Sequence, residues 1–200
     1  MHKFTLKNQV IIALSDTHGH HRNFEIPNCD VVIHAGDACN DGDESQLADF
    51  FDWFSALPSK NKIFVAGNHD LIFDLDPEQV LKLIPKNVIF LENQSCVIED
   101  ILFYGVVARP WMNQPHLLPK EIDVLISHAP AMGRMDEGDG CVLLKELMEM
   151  ASPKVHLFGH IHSGGGMEEI DSKTIYRCCS VAHLISNLNV NQPRLFYSRS

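Results

Sequence analysis

Short apolar runs recur along the chain, and each closes on polar turn residues. Residues 10–14 run into Ser15-Asp16, 31–35 into Gly36-Asp37, 63–66 into Gly67-Asn68, 124–126 into Ser127-His128 and 155–158 into Gly159-His160. Their brevity and their β-branched content predict buried strands. Between them the pattern turns helical. Asp43, three residues before Gln46, reads as a capping box for a helix over 44–57, and Asp76-Pro77 caps another over 77–84. A third helix, 141–151, stops before Pro153. Residues 88–91, 96–99 and 102–107 form a strand-rich stretch in mid-chain, and 176–180 predicts a further strand. Residues 109–120, with three prolines and Trp111, fit neither period and read as a loop. Strands alternating with helices and then clustering imply an α/β protein with mixed sheets.

No repeat, low-complexity tract or linker divides the sequence, so residues 1–200 are expected to form a single unit. Sixteen Lys and Arg against 26 Asp and Glu leave a formal charge of −10, spread through the chain. With no cationic track to offset that repulsion, a long nucleic acid is not an expected partner. The longest nearly uninterrupted apolar stretch, 101–108, falls well short of the roughly 18 residues of a membrane span, and no signal-peptide architecture precedes Val10. The expectation is a cytoplasmic protein with no membrane partner. Six cysteines without C-x-x-C spacing read as reduced thiols. Twelve histidines are the anomaly, and they point towards metal or proton-transfer chemistry.

Each of the five strands first named ends at residues that can bind a metal or move a proton. In chain order these are Asp16-Thr17-His18, Gly36-Asp37-Ala38-Cys39-Asn40, Gly67-Asn68-His69-Asp70, Ser127-His128-Ala129-Pro130 and Gly159-His160-Ile161-His162. Strand ends are where α/β proteins gather their sites. The Asp-x-His and His-x-His pairs are expected to converge on turns just past those ends, with Gly36, Gly67 and Gly159 supplying backbone freedom.

The series closely resembles the signature of the calcineurin-like metallophosphoesterase superfamily: D-x-H, G-D-x-x-(D/N/E), G-N-H-(D/E), a later H, and G-H-x-H. Leu57-Pro58 running into 62–70, Gly140-Cys141 opening a helix, Pro153 and the 176–180 strand extend the likeness. They are similar to the small single-domain branch that holds the metallophosphoesterase-domain-containing (MPPED-type) proteins. The resemblance implies a four-layer fold, two mixed β-sheets packed face to face with helices outside. It also implies two divalent transition-metal ions, one held by Asp16, His18, Asp37 and His162, the other by Asp37, Asn68, His128 and His160, with Asp37 bridging. Mixed nitrogen and oxygen ligation suits manganese first, then iron, zinc, cobalt or nickel, over calcium or magnesium.

The implied reaction is hydrolysis of a small phosphate mono- or diester, cyclic nucleotides among the candidates, by a metal-bridging hydroxide. In that resemblance His69 is no ligand but faces the substrate, protonating the leaving oxygen or stabilising the phosphoryl charge. The alternative is a catalytically weak scaffold on the same fold. One position departs from the pattern: many relatives carry a carboxylate where Asn40 stands, which leaves the support of His69 to Asp41 or Asp70.

Seven histidines remain, expected at the surface or behind the site; His20 and His21 stand close enough to the first motif to touch substrate, and His34 to back it. Cys39 reads as a small buried filler, and Cys178 and Cys179 as neighbours facing opposite sides of a strand. Phe50, Phe51, Trp53 and Phe54 form a core stripe. Trp111 has two readings: an indole on a flap over the site, stacking on a nucleobase, or a plug closing one end of the core.

Overall fold

The layers follow from strict alternation of the side chains along each strand. In the computed structural model, which describes residues 1–109, 111–114, 117–163, 165–170 and 174–182, the first sheet holds β1 (His2–Leu6), β2 (Gln9–Leu14), β3 (Val31–Ala35), β4 (Asn61–Val65) and β5 (Ile89–Phe90), in that order. The second holds β6 (Gln94–Ile98), β7 (Ile101–Gly105), β8 (Val124–Ile126), β9 (Val155–Phe158), β10 (Gly166–Ile170) and β11 (Thr174–Cys178), in the order β10-β11-β9-β8-β7-β6. Parallel pairing joins β2 to β5 in the first and β7, β8, β9 and β11 in the second. β1, β6 and β10 are antiparallel edges.

Ile11, Ala13, Ile33 and Ile63 from the first sheet meet Phe103, Val124, Ile126 and Leu157 from the second, forming the layer between the sheets. The alternate residues Ile12, Leu14, Val32 and Phe64 face outwards, beneath α1 (Glu44–Ala56) and α3 (Pro77–Leu83). On the far side Tyr104, Leu125 and Phe158 are covered by Leu144, Leu147 and Met148 of α4 (Val142–Ala151). The expected four layers are thus present, with mixed sheets inside and helices outside. A short helix, α2 (Ile72–Leu75), lies between β4 and α3. Among the described residues no helix is long and apolar enough to cross a membrane.

Two edge strands, β1 and β10, escape the sequence pattern. β1 is half-exposed and carries Lys3 and Thr5, so it lacks the continuous apolar run of the inner strands. Strand β4 begins before the expected residue 63 because Asn61 and buried Lys62 join the ladder; Lys62 Nζ donates to Ser59 O at 2.6 Å. Asp43 caps α1 as expected, its Oδ1 accepting from the N–H groups of Ser45 and Gln46. The box is only half made: the Gln46 amide turns to Asp43 Oδ2 and the Asn40 N–H instead of the Asp43 N–H. The six cysteines are unpaired. Cys178 and Cys179 enter different core layers, as their adjacency in an extended segment requires.

At one end the two sheets are stitched together. The Ser15 N–H donates to Cys179 O at 3.1 Å, and the Val181 N–H donates to Ser15 O at 3.1 Å. That seam lies at the carboxyl ends of β2, β9 and β11.

Candidate metal centre

Five turns leave the strands at this seam, and several are wound into the left-handed region that L-residues seldom adopt. Asp16 (φ 59°), His18 (φ 43°), Asp37 (φ 57°) and His160 (φ 66°) all lie there. Asp, Asn and His tolerate this backbone best among residues with a Cβ. The expectation that glycines provide the turn freedom holds for Gly36 (φ 96°) and needs correction for Gly67 and Gly159, whose φ angles are not positive. Their role is close approach: a Cβ on Gly67 would stand 2.2 Å from Asp37 Oδ1, and one on Gly159 2.6 Å from Asp16 Oδ2.

The turns bring Asp16, His18, Asp37 and His162 together, with one ligand atom from each within 4.8 Å of all the others. His18 Nε2 and His162 Nε2 stand 3.2 Å apart, and His162 Nε2 lies 3.3 Å from Asp16 Oδ1. Beside them, His128 Nε2 is 3.2 Å from Asp37 Oδ2, and His160 Nδ1 is 3.0 Å from Asn68 Oδ1. Asp37 reaches both groups, since its Oδ2 also lies 3.8 Å from His18 Nε2. The remaining lone pairs are spoken for. Asp16 accepts from Ser15 Oγ and the His160 N–H, Asp37 Oδ1 accepts from the His69 N–H, and His128 Nδ1 donates to Ala35 O at 2.9 Å.

Several of these contacts set an acceptor against an acceptor. In its neutral form, with the proton on Nδ1, His128 turns a lone pair on Nε2 towards Asp37 Oδ2; both atoms are buried and neither has a hydrogen bond among the described residues, so a proton or a cation is needed between them. His160 donates from Nε2 to Asp139 Oδ2 at 2.9 Å and so turns its Nδ1 lone pair on the Asn68 amide oxygen. His18 and His162 face each other through nitrogen atoms. Such pairs repel unless a positive charge lies between them. Burial pulls the His128 pKa down, but Asp37 outweighs it and holds the ring up to about 9. Burial likewise opposes charge on Asp16 and Asp37; His162 and His128, respectively, hold the two carboxylates below their ordinary range. A field strong enough to keep a proton on a buried imidazole is equally suited to a divalent cation, so the donor set fits the implied pair of metal ions.

His69 is half-buried beside the cluster, its ring 5.0 Å from that of His18. Asp41 supports it: Asp41 Oδ1 meets His69 Nδ1 at 3.0 Å. Asn40 instead donates to His18 O, at 3.1 Å, and to Gln46. Asp70 is fully buried and accepts from the N–H groups of Asp37, Ala38, Cys39 and Gly67, knitting two of the site turns together. Burial and the nearby Asp37 push its pKa up to about 6.

Other expectations change. His21 does not reach for substrate: it is buried against Phe50 and meets Asp49 at 3.0 Å. His2 and His156 are buried rather than superficial. His34 backs the site through Thr17 Oγ1 at 3.1 Å. His116 and His183 lie outside the described residues. Cys39 is the buried filler its position suggested, its thiol raised by burial and by Asp70. Trp111 is 53% exposed, which removes the reading of it as a core plug; Met112 takes the buried position. Asp139, the partner of His160, escapes sequence reading because it stands 21 residues away in a loop without period.

Comparison with known proteins agrees with this geometry. Residues 10–164 match the family model described as calcineurin-like phosphoesterase, a span containing every residue of the cluster. The chain is 31% identical to human metallophosphoesterase domain-containing protein 1, over 91% of its own length and 68% of that protein. It is 32% identical to a UPF0046 protein of Caenorhabditis elegans, over 78% of its length and 64% of the relative. Among solved structures, phosphopantetheinyl hydrolase from Mycobacterium tuberculosis superposes with a TM-score of 0.65 at 12% identity, covering 94% of this chain and 98% of the other. At that identity the likeness speaks for the fold alone. Motif order, relatives and architecture converge: the chain belongs to the calcineurin-like phosphoesterase family.

Proposed function

We propose that this phosphoesterase hydrolyses small phosphate esters, cyclic nucleotides among them, with two divalent transition-metal ions, manganese being the first candidate. The observation that carries the reading is the set of facing acceptors: His128 against Asp37, His160 against Asn68 and His18 against His162. Asp16, His18, Asp37 and His162 would hold one ion, and Asp37, Asn68, His128 and His160 the other. Two such ions supply positive charge for the phosphate and lower the pKa of water enough to make hydroxide available at neutral pH.

The chain's own residues do the rest. Asp37 and Asp16 lower the charge of the centre without cancelling it. Ala35 O and Asp139 fix the rings of His128 and His160, so that the nitrogens facing the cluster keep their lone pairs. His69, held through Nδ1 by Asp41, presents Nε2 to the ester and donates a proton to the leaving oxygen or a hydrogen bond to the phosphoryl group. The net charge of −10 supports a small substrate over a long nucleic acid. Six unpaired thiols fit a cytoplasmic setting, and the continuous packing of the two sheets fits one domain.

The test is a panel of phosphate mono- and diesters, including 2′,3′- and 3′,5′-cyclic nucleotides, on protein reconstituted with each metal. Turnover of small esters that vanishes on chelation and returns with metal is expected. Stoichiometric metal without turnover on any ester would favour the scaffold.

A further inference from the structure

Two buried histidines stand outside the metal cluster in matching places, one behind each sheet. His34, on β3, pairs with Leu14 of β2, three residues before Thr17; His156, on β9, pairs with Leu125 of β8, two residues before Ser127. His34 lies on the outer face of its sheet against the rings of Phe50 and Phe64, and His156 on the outer face of the other against Phe158 and Tyr176. Each ring reaches back one strand to a buried hydroxyl: His34 Nε2 meets Thr17 Oγ1 at 3.1 Å, and His156 Nε2 meets Ser127 Oγ at 2.7 Å. The hydroxyls matter because of where they stand. Thr17 lies between Asp16 and His18, and Ser127 precedes His128.

Hydrogen-bond accounting fixes the direction of each contact. The Thr17 hydroxyl donates to Ala38 O at 3.5 Å and the Ser127 hydroxyl to Ala129 O at 2.6 Å, so their lone pairs are left to receive a hydrogen from the ring. His34 and His156 therefore carry their hydrogen on Nε2. Their Nδ1 atoms are buried with no partner among the described residues, which suits a bare lone pair better than an orphaned N–H. The result is two relays, each running from ring to hydroxyl to carbonyl. The first ties the turn carrying Asp16 and His18 to the turn that follows Asp37; the second fastens the turn carrying His128 to β9, whose end carries His160 and His162. Asp16 and His18 need such a tie, since both sit in left-handed backbone, at φ 59° and 43°.

We infer that His34 and His156 are a pair of positioning residues, each setting the ligand turn of a different metal ion through one hydroxyl. His34 acts through Thr17 on the ion assigned to Asp16, His18, Asp37 and His162, and His156 acts through Ser127 on the ion assigned to Asp37, Asn68, His128 and His160. Neither ring belongs to the ligand set. This rests on the two-metal reading above and adds to it a division of labour, in which each ion is supported from the outer face of a different sheet.

Manganese(II) binding, read by competition with a chelator, tests it without any need for turnover. His128→Ala should keep the first ion alone and His162→Ala the second alone. Added to His128→Ala, His34→Phe is expected to weaken the remaining ion about ten- to 100-fold while His156→Phe leaves it unchanged; added to His162→Ala, the order reverses. Glutamine, whose amide nitrogen can stand where Nε2 stood, should restore most of the affinity at either position. Ser127→Ala should weaken the second ion as His156→Phe does, and the two together no more than either alone, because the ring acts through the hydroxyl. Thr17→Val should do the same to the first ion, and these two small changes carry the test should a ring variant fail to fold. Losses that strike both ions equally, that add fully within the Ser127 pair, or that glutamine fails to reverse would make the rings mere packing and overturn the inference. An unmutated protein that takes up no manganese would overturn the two-metal reading and the inference with it, whereas two bound ions and indifferent variants overturn the inference alone.

Discussion

The two ends of the sandwich solve the same problem in opposite ways. At the amino end of β8, buried Asp123 accepts from Lys7 Nζ at 2.8 Å, Lys154 Nζ at 2.6 Å and the Leu102 N–H at 2.9 Å. At the carboxyl end, buried Asp37 has an Oδ2 that meets only imidazole nitrogens. One carboxylate is neutralised by two lysines, which cannot ligate a metal; the other faces only imidazoles, which can hold a proton there or give it up to a cation. A buried aspartate at a strand end is thus no sign of a site by itself; what counts is whether the fold has already supplied its counter-charge.

Exchanging the two roles should have the largest effect. Asp37→Ala should lose both metal equivalents together and all turnover, whereas Asp123→Asn should keep metal content and kcat. Elemental analysis and steady-state kinetics decide it, and unchanged stoichiometry in Asp37→Ala would overturn the bridging assignment. His69→Ala should retain its metals but lose about 10²–10⁴ in kcat on esters with poor leaving groups, and less on aryl esters. Equal loss on both substrate types would instead make His69 an electrostatic contributor.

Acid sharpens the contrast through stability. Burial lowers the pKa of His34 and His156 from 6.5 to about 3, and of His2 to about 4, so the folded chain refuses protons that the unfolded chain accepts. Asp70, raised to about 6, works in the other direction between that value and 3.8. Three histidines against one carboxylate leave a net of about two protons. Stability should therefore fall by about 2.7 kcal/mol per pH unit from pH 6 towards 4, read as the urea midpoint. Burial resists charge on Asp123, but Lys154 and Lys7 prevail and hold it at about 2. Its contribution, about 2 kcal/mol, is complete above 3.8 and lost as pH falls towards 2, and Asp123→Asn should remove that last step alone. A flat profile between pH 6 and 4 would contradict neutral buried histidines. Smallest of all, Asp139→Asn should weaken metal binding about ten- to 100-fold in a chelator competition without altering the fold.

Much of the amino-acid pattern was legible because the inner strands are apolar throughout and end abruptly. That abruptness exposed Asp16, Asp37, Asn68, His128 and His160 as strand-end residues. The edges were not legible: β1 and β10 border only one strand each and carry mixed residues, so no run marks them. Asp139 was hidden for another reason: it supports His160 from a loop, where no period ties a residue to its partner. Asp41, one of the two carboxylates the motif left to support His69, replaces by a one-residue shift the carboxylate many relatives carry at Asn40. The glycines were found for the wrong reason, since steric clearance leaves the same letter in the sequence as backbone freedom.

The seam has a thermodynamic consequence. Asp16, His18, Asp37 and Asn68 leave the first sheet, and His128, His160 and His162 leave the second, so each half of the ligand set is useless without the other. An unfolded chain cannot assemble them, and a cation would therefore bind the native state alone. Linkage then turns affinity into cohesion: each ion at a thousand times its Kd would add about 4.1 kcal/mol to the unfolding free energy. The ions that make the chemistry would also act as a rivet between the two sheets, and the melting temperature would track metal concentration.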